Sequence, residues 1–116
     1  MASTTPAKRE FLVVVPDKKG VLAKRNEVRD QHLTNVKPLV EAGTVSVGGA
    51  LMDAHPADGE APQMNGSMLV VTAESATEVR ELIAKDIYTT HGVWDIDNAQ
   101  ITPVRLLPKE LWAKQR

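Results

Sequence analysis

Apolar positions follow two rhythms along the chain, and the switches between them divide it into elements. FLVVVP (11–16) is an unbroken apolar run, β-branched at its end and closed by proline, which predicts a short strand. Asp17 to Gly20 turns the chain. From residue 21 to about 37 the apolar positions recur at helical spacing, with Pro38 marking a kink and Gly43 the helix end. TVSVGGALM (44–52) alternates around paired glycines and predicts a second strand, whereas DAHPADGEAPQMNG (53–66) is polar and rich in proline and glycine, as a surface loop is. SMLVVTA (67–73) predicts a third strand. Ser75 and Glu78 form a capping box that opens a second helix with Val79, Leu82 and Ile83 as its apolar stripe. This helix ends in DIYTTHG (86–92), and WDIDNAQITPVR (94–105) predicts a fourth strand with an irregularity near Asn98 and Ala99.

The order β-α-β-β-α-β is the split βαβ arrangement of a ferredoxin-like α+β fold, a four-stranded antiparallel sheet with both helices on one face. Such a sheet with one wet face alternates strictly, yet Phe11 to Val15 and Met68 to Val71 are apolar at every position. Both faces therefore read as buried. One chain supplies helices for one face only, so a second copy is expected over the other, giving a homodimer with packed sheets. A valine-rich edge strand is the simpler alternative.

The first helix carries polar residues where its apolar stripe should be. At about 100° per residue, Arg29 lies roughly 40° and His32 roughly 20° from Arg25, with Leu22, Val28, Leu33, Val36 and Val40 within about 80° of the same direction. On the second helix Asp86 interrupts the stripe of Val79, Leu82 and Ile83. Buried charge is costly unless paired, and the two helices pack side by side, so His32 and Asp86 are placed to meet. A carboxylate beside an imidazole orients the ring, fixes its tautomer and raises its basicity, as general acid/base catalysis near neutral pH requires. Arg29 and Arg25 would put positive charge where an anionic substrate or an enolate-like intermediate is held. Plainer readings stand beside these: a core histidine bonded to a backbone carbonyl, arginines snorkelling from the helix edge, and Asp86 as a turn or cap residue.

Composition removes several other chemistries. The chain has 116 residues and no cysteine, which excludes a disulfide framework, a thiolate metal site and a cysteine nucleophile. It reads as a single domain over 1–116, with a flexible N-terminus at 1–9 and a tail at 106–116 that adds a helical turn from Pro108. The net charge of -1, with 14 basic and 15 acidic residues intermixed, argues against a nucleic-acid footprint or a membrane patch. No stretch resembles a targeting or transmembrane segment, so a cytoplasmic protein is expected. His32, His55 and His91 lack metal-ligand spacing, and no metal or cofactor is implied. Gly48 and Gly49 mark either a β-bulge or a close backbone approach to a ligand. His91, just before Gly92, reads either as a residue at the pocket mouth or as a favourable charge at a helix C-terminus.

The short motifs in order, Arg29 with His32 and Leu33, Gly48 with Gly49, Gly66 with Ser67, and DIYTTHG, resemble those of the YCII-related family over most of the chain. That family includes members of unknown role and lyases acting on chlorinated or lactone ring-cleavage intermediates. The resemblance implies a dimeric α+β barrel of ferredoxin-like subunits with a His and Asp pair in a pocket, carried here by His32 and Asp86, and a pocket role for Tyr88. Two positions depart from the pattern: Ile87 stands where proline usually follows the aspartate, and Ala50 where proline often follows the glycines. The expected activity is that of a cofactor-independent lyase or isomerase acting on a small organic acid, lactone or phenolic metabolite. The alternative is a non-catalytic dimer that binds a metabolite or a protein partner through the same pocket.

Overall fold

A computed structural model describes residues 8–107 and Leu111. Of the N-terminus expected to be flexible over 1–9, residues 1–7 lie outside the described residues, whereas Arg9 already pairs with Ala73 in the first strand; residues 108–110 and 112–116, on which the helical turn expected from Pro108 falls, also lie outside. The elements are β1 (Arg9–Pro16), α1 (Leu22–Glu41), β2 (Val45–Met52), β3 (Met64–Ala73), α2 (Ala76–Ala84), α3 (Ile87–Thr90), a 3-10 turn (Ile96–Asn98) and β4 (Gln100–Val104). They form one four-stranded sheet in the order β2-β3-β1-β4 with every neighbouring pair antiparallel, the β-α-β-β-α-β arrangement expected from the hydrophobic pattern.

The register decides which side chains meet the helices. Phe11 pairs with Val71, Val13 with Leu69 and Val15 with Ser67, and these residues point to the helix face. There they pack with Val79 and Ile83 of α2 and with Tyr88, Val93 and Trp94 to make the core. The intervening residues point to the other face, where Leu12 pairs with Val70 and Val14 with Met68. Leu12, Val14 and Met68 are only half-buried there, while Val70 is enclosed by Leu12 and by Val47, its neighbours on the two flanking strands. The unbroken apolar runs thus reflect two apolar faces, one of which the described residues leave uncovered.

Three boundaries differ from those the pattern predicts. Pro38 sits within the last turn of α1, which runs on to Glu41, and Gly43 follows with a φ of 81 that a β-carbon would disfavour. β3 begins at Met64, inside the expected loop. Within it a β-carbon on Gly66 would come 2.9 Å from the Val15 carbonyl oxygen, so only glycine fits that close pairing. The fourth strand is the largest correction. Trp94 and Ile96 are not part of it, because the backbone there bonds elsewhere: Lys18 N–H donates to Val93 O, Asp95 N–H to Pro16 O, and the N–H groups of Val93 and Trp94 both donate to Tyr88 O. Asn98 Nδ2 donates to Asp95 Oδ2 over 2.7 Å, a local side-chain bond that favours the 3-10 turn over extension.

Candidate active site

Helix α1 buries two residues, Arg25 and His32, rather than an aliphatic stripe. They stand about two turns apart and so face nearly the same way. Arg29 is turned about 40° to one side of Arg25 while His32 is turned about 20° to the other, which leaves Arg29 exposed at the rim. Val28, Val36 and Leu39 pack partly against the core beside them. The three polar residues therefore share a side of the helix but not an environment.

Asp86 does not belong to α2, as the stripe suggested. That helix ends at Ala84 with Lys85 as its C-cap, and Asp86 begins a new turn as the N-cap of α3. Ser75 starts α2 as expected, its hydroxyl accepting from Glu78 N–H. Asp86 Oδ1 accepts from Tyr88 N–H at 2.9 Å and lies 2.8 Å from His32 Nδ1. Helix capping and the contact with histidine are thus made by one oxygen. Ile87 occupies the first helical position after the cap, where a residue other than proline leaves the Asp86 geometry intact. Gly92, with a φ of 74, then reverses the chain so that Trp94 returns over the site.

The imidazole is held on three sides. It stacks on the Tyr88 ring with centroids 4.0 Å apart and 17° between planes, and Trp94 meets it edge-on at 5.8 Å. With Nδ1 against an acceptor carboxylate, a neutral ring carries its proton on Nδ1 and its lone pair on Nε2. Among the described residues Nε2 has no hydrogen-bond partner, and His32 lines a cavity of about 440 Å³ between α1 and β2. Arg25, Arg29, Gly48, Gly49, Ser67 and Tyr88 line the same cavity.

Arg25 forms a network that the sequence reading missed. Its Nη1 donates to both oxygens of Asp17 at 2.8 and 2.9 Å, and its Nη2 donates to Ser67 Oγ at 2.9 Å. Ser67 Oγ also accepts from Trp94 Nε1 at 3.1 Å, which leaves the hydroxyl proton to donate. The guanidinium carbon lies 4.7 Å from the Tyr88 centroid, within cation–π range. Burial pushes the Asp17 carboxyl above its ordinary pKa, with the charge and hydrogen bond of Arg25 opposing the shift. Burial also pushes the Tyr88 phenol up, opposed by Arg25 and Arg29 and assisted by Asp86 and Asp17.

Asp17 therefore takes up most of the charge of Arg25, whereas Arg29 makes no ion pair among the described residues. Arg25 Nε is buried and has no hydrogen-bond partner among the described residues. A signal for Asp17 was present: a buried arginine in the first turns of a helix needs a carboxylate, and the end of the preceding strand is where an antiparallel helix returns.

Gly48 and Gly49 pair in regular register with Leu69 and Met68, while the two register shifts of this pair lie at Ser46, between Val45 and Val47, and between Leu51 and Met52. The glycines thus form cavity floor rather than a kink. Ala50, the other departure, sits on that floor opposite Ser67. His91 is exposed as the C-cap of α3, with Nδ1 3.3 Å from Thr90 Oγ1, and does not line the cavity. His55 is exposed in the loop between β2 and β3. Among the described residues no three His, Asp or Glu side chains converge on a metal position, and no helix is long and apolar enough to cross a membrane.

Residues 10–102 match the model of the YCII-related domain. This chain belongs to the YCII-related family. The family resemblance read from the short motifs is borne out across nearly the whole fold. Fusaric acid biosynthesis protein 2 of Gibberella fujikuroi is 40% identical over 97 residues, which span 84% of this chain and 93% of that protein. Aspercryptin biosynthesis cluster protein B of Emericella nidulans is 33% identical over 109 residues, spanning 90% of this chain and 70% of that protein. Among solved structures, the 5-chloro-2-hydroxyhydroquinone dehydrochlorinase of Burkholderia phenoliruptrix AC1100, in complex with 2,5-dihydroxybenzoquinone, superposes with a TM-score of 0.66. It is 26% identical, with 88% of this YCII-related chain and 97% of the dehydrochlorinase covered.

Proposed function

We propose that this YCII-related protein is a cofactor-independent lyase or isomerase that moves a proton on a small anionic or phenolic metabolite. The observation that carries this reading is His32, with Nδ1 set against Asp86 at 2.8 Å and Nε2 left unpartnered in the cavity wall. Nε2 takes a proton from carbon or from a ring hydroxyl, and Asp86 stabilises the imidazolium that forms. Arg29 faces the negative charge that develops on the substrate, and the Ser67 hydroxyl proton supplies a hydrogen bond to one of its oxygens. In an elimination a leaving group departs with the electron pair. In an isomerisation the imidazolium returns its proton at another position.

The neighbouring structure is that of a dehydrochlorinase, and the relatives named above carry fungal biosynthesis names, which supports a metabolic substrate of phenolic or quinonoid character. The proposal includes a homodimer in which the face of Leu12, Val14, Met68 and Val70 packs on its counterpart.

The test is chloride release from 5-chloro-2-hydroxyhydroquinone, together with deuterium uptake from heavy water into non-chlorinated hydroxylated rings. Turnover that is saturable and lost in His32→Ala is expected. Saturable binding of 2,5-dihydroxybenzoquinone with no turnover of any oxygenated ring would instead make the chain a metabolite-binding module.

A further inference from the structure

The cavity beside His32 is charged at one end and largely apolar at the other, where Ser46 is the one polar lining residue, and two separate chain segments agree on which end is which. Along α1 its lining runs from Arg25, Arg29 and His32 to Leu33, Val36 and Val40. Along β2, which runs the opposite way, it passes from Ala50 beside Ser67, through Gly48 beside Leu69, to Val45 beside Val71. From His32 to Val40 the helix rises about 12 Å. Val45 to Gly48 spans about 10 Å of strand. The volume of about 440 Å³ lies within the range of pockets that take ligands larger than one small ring.

The exposed large apolar side chains reinforce the pattern. Among the described residues, those outside the C-terminal tail are Leu33, Val40 and Val47; Leu33 and Val40, exposed by 43% and 52%, border this cavity from α1, whereas Val47 pairs with Val70 and its side chain belongs to the opposite sheet face. Apolar surface gathered at one place, and continuous with a polar site, marks a ligand groove. Gly48 keeps that groove open at its midpoint, since a β-carbon there would come 3.2 Å from Leu69 Cδ2 and raise the floor.

Resting on the reading of His32 as a base, we infer that the substrate is amphiphilic: an oxygenated ring or acid held at His32 and Arg29, with an aliphatic side chain lying between Val36, Val40 and Val45. A chain in that arm covers Leu33 and Val40 while the head meets Arg29, which makes no ion pair among the described residues.

The experiment is titration calorimetry with 2,5-dihydroxybenzoquinone and its 3-alkyl homologues from methyl to heptyl. Kd is expected to fall about fourfold per methylene, the factor that corresponds to ~0.8 kcal/mol for each buried CH₂. The fall should level off when the chain reaches Val40. Val40→Asp, at an exposed position that tolerates the change, should reduce the gain per methylene, and Gly48→Val should reject the longest homologues. A parent quinone that binds in the wild-type protein with no dependence on chain length overturns the inference and leaves the acid/base reading standing, as does a chain-length dependence that both variants retain. Failure of every homologue and of the parent to bind overturns the inference and the acid/base reading together.

Discussion

Replacing Asp86 by alanine and by asparagine separates the two tasks of one oxygen. Asp86→Ala removes the acceptor that caps α3 at Tyr88 N–H, a loss of about 0.5–2 kcal/mol. It also leaves the His32 ring N–H without its partner, which costs about 1–3 kcal/mol for a buried donor. The two side chains are 11% and 14% exposed, so solvent relieves little of that penalty, and a total of about 3 kcal/mol is expected. Asp86→Asn keeps an oxygen for both donors and is as good a cap, so it should cost only about 1 kcal/mol, the difference between a charged and a neutral acceptor. Activity should follow a different order. Both variants lose the negative charge that stabilises an imidazolium, so both should fall by roughly 10²–10⁴-fold in turnover. Urea unfolding monitored by tryptophan fluorescence measures the first pair of numbers, and proton exchange or chloride release the second. In a cycle with His32→Ala the double variant should be less destabilised than the sum of the singles by about 1–2 kcal/mol. If the stability effects add and Asp86→Asn keeps full turnover, Asp86 is a helix cap, His32 is a packed core residue, and the acid/base reasoning is wrong.

Tyr88 is the sole tyrosine of the chain, so phenolate absorbance reports on it directly: it should ionise above 10.0 in the native protein and return to its ordinary value in denaturant. Because the folded-state pKa is the higher one, the unfolded chain loses this proton first, and the stability tied to Tyr88 is complete below about pH 10 and lost as pH rises through the folded value. A native midpoint at or below the denatured one would contradict the burial of the ring. Arg25→Met leaves Asp17 buried without its counter-ion and should cost about 3–5 kcal/mol in urea unfolding, whereas the double change with Asp17→Leu should recover most of that; a single-mutant loss under about 1 kcal/mol would mean that the pair is solvated. Light scattering at micromolar concentration should report a dimer, and a clean monomer would remove the argument that a second sheet covers Leu12 and Val14. Exhaustive chelation should leave turnover unchanged, and loss followed by recovery on adding zinc or iron would overturn the metal-free mechanism.

The periodicities of the sequence were enough to determine the order of the main elements and the antiparallel α+β fold, because apolar spacing of two or of 3.6 residues reports directly on which backbone buries a given stripe; the family was legible only in the short motifs that resemble it. They also singled out Arg25, Arg29 and His32 as polar residues in an apolar stripe, and Asp86 as a carboxylate near a helix end. What each one touches was settled only by packing. Asp86 looked like part of α2 because its spacing from Val79 and Ile83 fits that helix, yet the backbone breaks at Lys85 and makes it a cap, since the short side chain bonds Tyr88 N–H more readily than it continues the turn. Trp94 and Ile96 alternate as a strand does, but Trp94 N–H donates to Tyr88 O, Trp94 bridges to Asp17, Asp95 N–H donates to Pro16 O and Ile96 O accepts from Ala99 N–H; Pro16 and Asp17 are distant in sequence, and no local pattern names them. The same holds for charge. Arg25 and Arg29 are equivalent in sequence, and only the return of α1 across the end of β1 puts Asp17 2.8 Å from one guanidinium and leaves the other without an ion pair among the described residues at the cavity rim. Local propensity depends on neighbours in the chain, whereas the pairing of buried polar groups depends on which segments close over one another, and that is decided when the whole sheet and its helices pack.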